Sequence, residues 1–135
     1  MPYPIAEIRG IGPEAAAILK SEGIRTTVSL LRSANKPKQR LKLADAIGTD
    51  KERVLDWVTS ADRMRIKGVG WEYSELLRVV GVKTVKELRY RNPRKLVQMM
   101  QEANKRKMVR LLPKEKTVER WIESAKKLPS SQIRY

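Results

Sequence analysis

Two short loops of this chain place a basic residue beside a pair of glycines, an arrangement that suits the binding of an anion. Residues 8–12 read Ile-Arg-Gly-Ile-Gly, and residues 66–70 read Ile-Lys-Gly-Val-Gly. The first glycine of each loop permits a positive backbone φ, and the second lets the chain pass close to a ligand. A helix that begins after each loop adds unpaired N–H groups and the positive end of its dipole. We therefore expect the N–H groups of residues 10–12 and 68–70 to point outward and to bind phosphate.

The two loops belong to longer stretches that stay in step along the sequence. At a constant offset of 58 residues, four further pairs match: Leu19 with Leu77, Ile24 with Val82, Thr26 with Thr84, and Leu30 with Leu88. A later apolar pattern, Val54, Trp57, Val58 and Ala61, recurs at an offset of 64 as Val118, Trp121, Ile122 and Ala125. The sequence thus predicts two tandem repeats, with six residues inserted between the matching segments of the second.

The charge of the chain favours a polyanionic partner. Its 30 Lys and Arg residues outnumber 15 Asp and Glu residues, which gives a net charge of +15. The net charge is +1 over residues 1–35, +4 over residues 36–70 and +10 over residues 71–135. Such an excess destabilises a compact fold by self-repulsion unless a polyanion lies against it. We therefore favour nucleic acid over a merely solvated surface, with contact mainly through the second half.

Several functional classes are disfavoured by what the sequence lacks. There is no Cys and no His, so thiolate metal sites, disulfides and the commonest general base are absent. The aspartates at positions 45, 50, 56 and 62 are scattered, and we predict no enzyme activity, no metal and no cofactor. No apolar run reaches the roughly 20 residues of a membrane helix, and no signal peptide is recognisable at the start. A cytoplasmic protein without membrane contact is the expectation.

The elements that position the loops are predicted to be short helices with explicit start and stop signals. Pro13 suits a first helical turn, and glycines 23, 48 and 81 suit helix ends. Thr26 or Thr27, Pro37 and Asn92-Pro93 mark further helix starts, and two capping boxes read Thr-Asp-Lys-Glu at 49–52 and Thr-Val-Lys-Glu at 84–87. No alternating strand pattern occurs. The fold is therefore predicted to be all-α.

The domain organisation follows from the repeats. We predict a first repeat over residues 1–65, a second over residues 66–128, and a mobile tail over residues 129–135 without periodicity. Because each repeat has only short amphipathic helices, the two are expected to pack into one compact unit. Trp57 and Trp121 occupy equivalent apolar positions and are predicted to be core residues. Met99, Met100 and Met108 are predicted to fill gaps in the core.

The glycine loops and their flanks resemble the helix-hairpin-helix motif of DNA repair and recombination proteins. The motif reads apolar-Gly-apolar-Gly, with a small residue four positions on and an aliphatic residue three positions further. Gly10, Ile11, Gly12, Ala16 and Leu19 match it in the first copy, and Gly68, Val69, Gly70, Ser74 and Leu77 match it in the second. From Ile5 to about Leu128, the chain resembles a small stand-alone bacterial family of tandem helix-hairpin-helix repeats without a known function. The resemblance implies sequence-independent contact with the DNA backbone through loop amides and nearby basic residues.

One departure from the motif makes the two loops unequal. DNA-binding hairpins commonly carry a basic residue in the first turn of the second helix, whereas this chain has Glu14 and Glu72 there. The first loop, in a segment of low charge, is therefore predicted to be mainly structural. The second loop, with Lys67 before it and Arg78 on the helix that follows, is the preferred phosphate site. Trp71 and Tyr73 are candidates for stacking on bases or sugars.

Basic clusters near two helix starts complete the candidate interface, because cations there oppose the helix dipole and so suggest a ligand. The candidate nucleic-acid-binding residues are Lys67, Gly68, Val69, Gly70, Arg78, Arg89, Arg91, Arg94, Lys95, Arg9, Gly10, Gly12, Lys36, Lys38 and Arg40. Lys105, Arg106, Lys107 and Arg110 would extend the same surface. We predict a non-catalytic, sequence-independent DNA-binding protein, nucleoid-associated within the cytoplasm. An adaptor for an acidic protein partner and an RNA-binding protein remain alternatives, and the oligomeric state stays open.

Overall fold

The computed structural model describes residues 2–106 and 109–135, and the predictions for Lys107 and Met108 lie outside these ranges. Within them the fold is all-α, as predicted, and an isolated bridge between Pro4 and Thr26 forms no strand. Short 3-10 turns cover Ile5–Glu7 and Asn104–Arg106. The α-helices are α1 (Pro13–Ser21), α2 (Thr27–Ser33), α3 (Pro37–Ile47), α4 (Lys51–Arg63), α5 (Trp71–Val79), α6 (Val85–Leu88), α7 (Pro93–Ala103) and α8 (Glu115–Lys127). None of the helices described is long and apolar enough to span a bilayer.

Most helix ends lie where the sequence signals place them. Proline occupies the first turn of α1, α3 and α7. An N–H group at this position has no partner within the helix, so its absence in proline costs no hydrogen bond. Asn92 caps α7 by accepting a hydrogen bond from the Lys95 N–H at 3.0 Å. Thr26 caps α2 in the same way, through the Ser29 N–H at 3.2 Å.

The two predicted capping boxes differ from the observed caps. α4 is capped by Asp50, not Thr49, because the Asp50 carboxylate accepts from the Arg53 N–H at 2.8 Å. Thr84 is the first residue before α6, but its side chain makes no capping bond. The Glu87 carboxylate accepts from the Lys83 N–H at 2.6 Å, whereas a capping box would have it accept from the Thr84 N–H.

Two separate apolar clusters form the interior. The first contains buried residues between Ile5 and Met64, and the second contains buried residues between Ile66 and Ala125. The division lies at the boundary that the sequence analysis places between the repeats, and the domain limits themselves stay a prediction. Trp57 and Trp121 are buried in the first and second cluster, as expected for core residues. Met100 is buried too, but Met99 is 43% exposed and does not fill the core.

The two halves meet through polar contacts between the end of α4 and the start of the second half. The buried Arg63 donates from Nε to the carbonyl oxygen of Ser74 at 2.9 Å and from Nη1 to that of Lys83 at 2.8 Å. The Ser60 and Ser74 hydroxyls lie 3.1 Å apart, and Asp62 accepts from the Val85 N–H at 2.8 Å. The halves thus share a hydrogen-bonded junction rather than a common apolar core.

The segment after α8, predicted to be mobile, follows a defined path across the first half. Ile133 packs against the first apolar cluster, and the Arg134 N–H donates to the carbonyl oxygen of Asn35 at 2.8 Å. Near the start of the tail, Arg65 donates to the carbonyl oxygen of Pro129 at 2.6 Å. The sequence carries no sign of these interactions because they join single residues far apart in the chain.

Candidate nucleic-acid interface

The two glycine loops have the same local geometry. Gly10 and Gly68 adopt φ values of +94° and +90°, a region open to glycine. The second glycines, Gly12 and Gly70, have negative φ and stand directly before α1 and α5. The two loops therefore present the starts of two helices in matching ways.

The loop amides are not all available to a ligand, which corrects the expectation for residues 10–12 and 68–70. The Ile11 N–H donates to the carbonyl oxygen of Ile8 at 3.2 Å, and the Val69 N–H donates to that of Ile66 at 3.0 Å. Ile11 and Val69 are also buried, so Val69 supports the loop from inside and is not a contact residue. Among the described residues, the N–H groups of the four glycines make no such internal bond and remain able to donate.

A tryptophan lies behind the first glycine of each loop. A Cβ added at Gly10 would be 3.4 Å from Nε1 of Trp57, and one added at Gly68 would be 3.6 Å from Nε1 of Trp121. The indole rings come from α4 and α8, so each loop is backed by the last long helix of its own half. These tryptophans support the loops and do not form an exposed stacking platform.

The first loop borders a cavity of about 460 Å³ that also contains residues of α4 and α5. Its basic residues are Arg9, Arg53 and Arg78, and its acidic residues are Asp56 and Glu75. Arg78 lies here, and not beside the second loop as predicted, and it pairs with Glu75 at 2.8 Å. The physical reason is distance, since Arg78 lies eight residues beyond Gly70, or about 12 Å along the helix axis.

The second loop borders two cavities, and one of them has a more positive lining than the cavity at the first loop. One, of about 440 Å³, is lined by Lys67 and Gly68 together with Arg120 and Trp121 of α8. The other, of about 330 Å³, is lined by the glycines of the loop and by Glu72 and Arg110. Sequence reasoning missed Arg120, whose signal was its place in the second copy of the tryptophan pattern, at the position held by Asp56 in the first.

The two aromatic residues after the second loop have different surroundings. The Tyr73 ring packs on Trp121 with centroids 5.2 Å apart, and its hydroxyl donates to the carbonyl oxygen of Leu111 at 2.7 Å. Tyr73 is therefore committed to packing, contrary to its expected stacking role. Trp71 is 39% exposed and lines cavities beside both loops, so its ring remains accessible to a ligand.

Three arginines of the predicted basic clusters are used within the fold. Arg40 is buried and donates to the carbonyl oxygens of Ala34 and Arg134, and burial lowers its pKa. Arg89 donates to the carbonyl oxygens of Ala125 and Leu128, at the end of α8. Arg91 donates to the carbonyl oxygen of Val80 at 3.4 Å. These guanidinium groups satisfy carbonyl groups of the protein, which removes Arg40 from the interface and ties Arg89 and Arg91 to structural partners.

The other predicted basic residues point to solvent. Arg9, Lys67, Lys36, Lys38, Arg94 and Lys95 are exposed, and Arg94 makes a long ion pair with Glu115 at 3.6 Å. Lys36 and Lys38 lie at the start of α3 in the first half, whereas Arg94 and Lys95 lie at the start of α7 in the second. In the parts of the chain described, no group of acidic side chains is arranged to hold a metal ion.

Comparison with known proteins identifies the family of the chain. Residues 9–128 match the model of a family described as a domain of unknown function (DUF4332), and the chain belongs to that family. The match begins within the first glycine loop, includes the whole of the second, and ends one residue after α8. Neither a curated protein nor a solved structure matches the chain.

Proposed function

We propose that this protein binds DNA without sequence preference and without catalysis, and that the second glycine loop and the basic side chains around it contact backbone phosphates. In this proposal the loops are helix-hairpin-helix elements. The observation that carries it is the lining around Gly68, where, among the described lining residues, Lys67, Arg110 and Arg120 are opposed by Glu72 alone.

The backbone around this loop supports contact with phosphate. The Gly68 and Gly70 N–H groups have no internal partner among the described residues, and Gly70 directly precedes α5. The positive end of the α5 dipole therefore adds to the charge of the neighbouring lysine and arginines. Glu72 in the first turn opposes a phosphate, so the side chains from α8 and from residue 110 must supply the balance.

The proposal predicts strongly salt-dependent binding. If four to six phosphates are neutralised, the logarithm of duplex affinity should fall with the logarithm of salt concentration at a slope of roughly −4 to −5. Fluorescence anisotropy of a labelled duplex, with a single strand and a structured RNA in parallel, measures the slope. Absence of binding to all three at low salt would overturn the proposal.

Charge-reversal variants locate the binding surface. Lys67→Glu should lower duplex affinity and reduce the salt slope by about 1, because one phosphate is no longer neutralised. Lys42→Glu makes the same charge change on α3, at an exposed position that lines none of the cavities around the loops. Equal reductions in affinity from the two variants would assign the binding to overall charge alone.

A protein-interaction adaptor is the second candidate, and exposed apolar side chains favour it. Tyr90 is 80% exposed and Leu111 is 73% exposed, and Leu111 also lines a cavity at the second loop. A protein partner would cover such side chains, since apolar surface is stabilised by removal from water. In that case Leu111→Ser would reduce capture of the partner, and Lys67→Glu would leave nucleic-acid binding unchanged.

A further inference from the structure

The cavities beside the two loops are built from corresponding residues. In the first, Arg9 and Gly10 of the loop face Trp57 and Ser60 of α4. In the second, the corresponding lining residues are Lys67, Gly68, Trp121 and Ser124. The pairs are 58 residues apart in the loops and 64 residues apart in the helices, as in the sequence repeat. Both halves therefore contain a cavity between the glycine loop and the tryptophan helix, lined by corresponding residues.

The two cavities differ in the charge of the remaining lining residues. The first includes Asp56 and the largely buried Glu75, whose side chain is 13% exposed and pairs with Arg78. Glu75 belongs to α5, so the second half supplies a carboxylate to the cavity of the first. The second cavity has Arg120 at the position of Asp56, and no acidic residue is among its described lining residues. Carboxylates of the protein therefore line the first cavity, and none is found among the described residues that line the second.

The indole N–H of Trp121 is a donor that lacks an acceptor at this place. Trp121 is 2% exposed, and no hydrogen bond from its Nε1 occurs among the described residues. Nε1 faces Gly68, at 3.6 Å from the position of an added Cβ. Nε1 of Trp121 is not fully enclosed. In the described part of the chain, the side-chain nitrogen that is both fully enclosed and without a partner is Nη2 of Arg63. Nε1 of Trp121 is therefore accessible from the cavity. An accessible donor on an otherwise buried side chain is held in place to donate to a ligand oxygen.

We propose that the cavity between the second loop and α8 is a binding site for one phosphate group. The indole N–H of Trp121 and the hydroxyls of Thr117 and Ser124 donate to its oxygens, and Arg120 and Lys67 neutralise its charge. The phosphate supplies this cavity with the negative charge that Asp56 and Glu75 supply to the first cavity. The site extends the proposed function to specific side chains of α8, and its phosphate belongs either to a nucleic-acid backbone or to a free phosphate compound.

The indole resonances of the full-length protein test the site. The chain has three tryptophans, so a ¹⁵N-labelled sample gives three indole N–H signals. Titration with inorganic phosphate should shift the Trp121 indole signal to saturation and leave the Trp57 signal in place. The proposal would be overturned if the Trp121 and Trp57 signals both stayed in place on addition of phosphate and on addition of duplex DNA. It would also be overturned if the two signals shifted equally. A response to duplex alone assigns the phosphate to nucleic acid. A response to inorganic phosphate alone supports the site but separates it from the proposed DNA binding.

An exchange of the residues that distinguish the cavities sharpens the test. Arg120→Asp gives the second cavity the residue of the first and should weaken phosphate binding by at least about tenfold, since it removes a charged hydrogen-bond donor. Lys42→Asp makes the same charge change outside the cavity and should have little effect. Glu75→Gln, which removes the internal carboxylate, should make the Trp57 indole signal respond to phosphate. An unchanged Trp121 response in Arg120→Asp, in a protein with a native spectrum, would contradict the role of the cavity.

Discussion

Gly68 and Gly70 lie in one loop but meet different backbone demands. Gly68 has φ +90°, a conformation that residues with a side chain rarely adopt, whereas Gly70 has φ −86°. The space around the two differs less than the backbone does. A Cβ at Gly68 would be in ordinary contact with the Trp121 ring, and a Cβ at Gly70 would meet nothing within 4 Å. Backbone conformation therefore makes glycine necessary at position 68 only.

Alanine substitutions separate these demands. Gly68→Ala should lower the free energy of unfolding by about 1 kcal/mol or more, because alanine is strained at positive φ. Gly70→Ala is the matched control and should change stability by only about a few tenths of a kcal/mol, because the loss of a favourable N-cap residue and the lower entropy of the unfolded chain oppose each other. Urea denaturation followed by circular dichroism measures both. Equal destabilisation by the two variants would contradict the assignment.

The stretch from the end of α6 into the first turn of α7 carries basic residues with two different roles. Arg89 follows α6 and binds the carbonyl groups at the end of α8, so it holds two helices together. Lys95 lies in the first turn of α7 with its side chain in solvent. A cation at a helix start opposes the dipole, so Lys95 makes no evident contribution to the stability of α7. The proposed interface gives it a partner.

Neutralising each residue should therefore affect a different property. Arg89→Gln should lower the free energy of unfolding by about 2 kcal/mol, because it removes charge-assisted hydrogen bonds and leaves carbonyl groups unpaired. Lys95→Gln should leave stability unchanged and weaken duplex binding at low salt. Thermal unfolding and anisotropy on the same two variants provide the comparison. Weaker binding by Arg89→Gln at unchanged stability would reverse the assignment.

Local signals in the sequence predict the elements better than the site. Pro37, Gly48 and Asn92 mark helix ends because capping depends on residues within one turn. The roles of Arg40 and Arg89 depend on carbonyl groups 94 and 36 residues away, which no local pattern reveals. Arg78 lies beside the first loop because α5 packs near α4, and no local pattern in the sequence predicts this packing. The loops and their tryptophans were therefore predictable, but the division of arginines between structure and surface was not.

The junction between the halves relies on a buried cation. Arg63 donates to one carbonyl group within α5 and to another beyond its end. Burial lowers the pKa of Arg63 to about 10, which leaves it charged at neutral pH. The carboxylate of Glu75 partly offsets this effect. Because each half has its own apolar cluster, we expect this hydrogen-bonded junction to couple the unfolding of the halves.

Removal of Arg63 should uncouple the two halves. Arg63→Ala leaves the carbonyl groups of Ser74 and Lys83 without this donor and should destabilise the protein by about 3 kcal/mol. Hydrogen exchange read by mass spectrometry should then show the two halves opening at different urea concentrations. Arg53→Ala, an exposed change on the same helix, should keep a single transition. A single transition in both variants would show that other interactions couple the halves.

The path of the tail also constrains the order in which the molecule can be completed during synthesis. Arg40, buried in the first half, takes one of its acceptors from residue 134, and Ile133 covers part of the first apolar cluster. A ribosome-bound chain that has just exposed Arg40 must therefore wait for 94 further residues before this acceptor arrives. The first half, although it is translated first, therefore gains these contacts only after the helices of the second half have been synthesised.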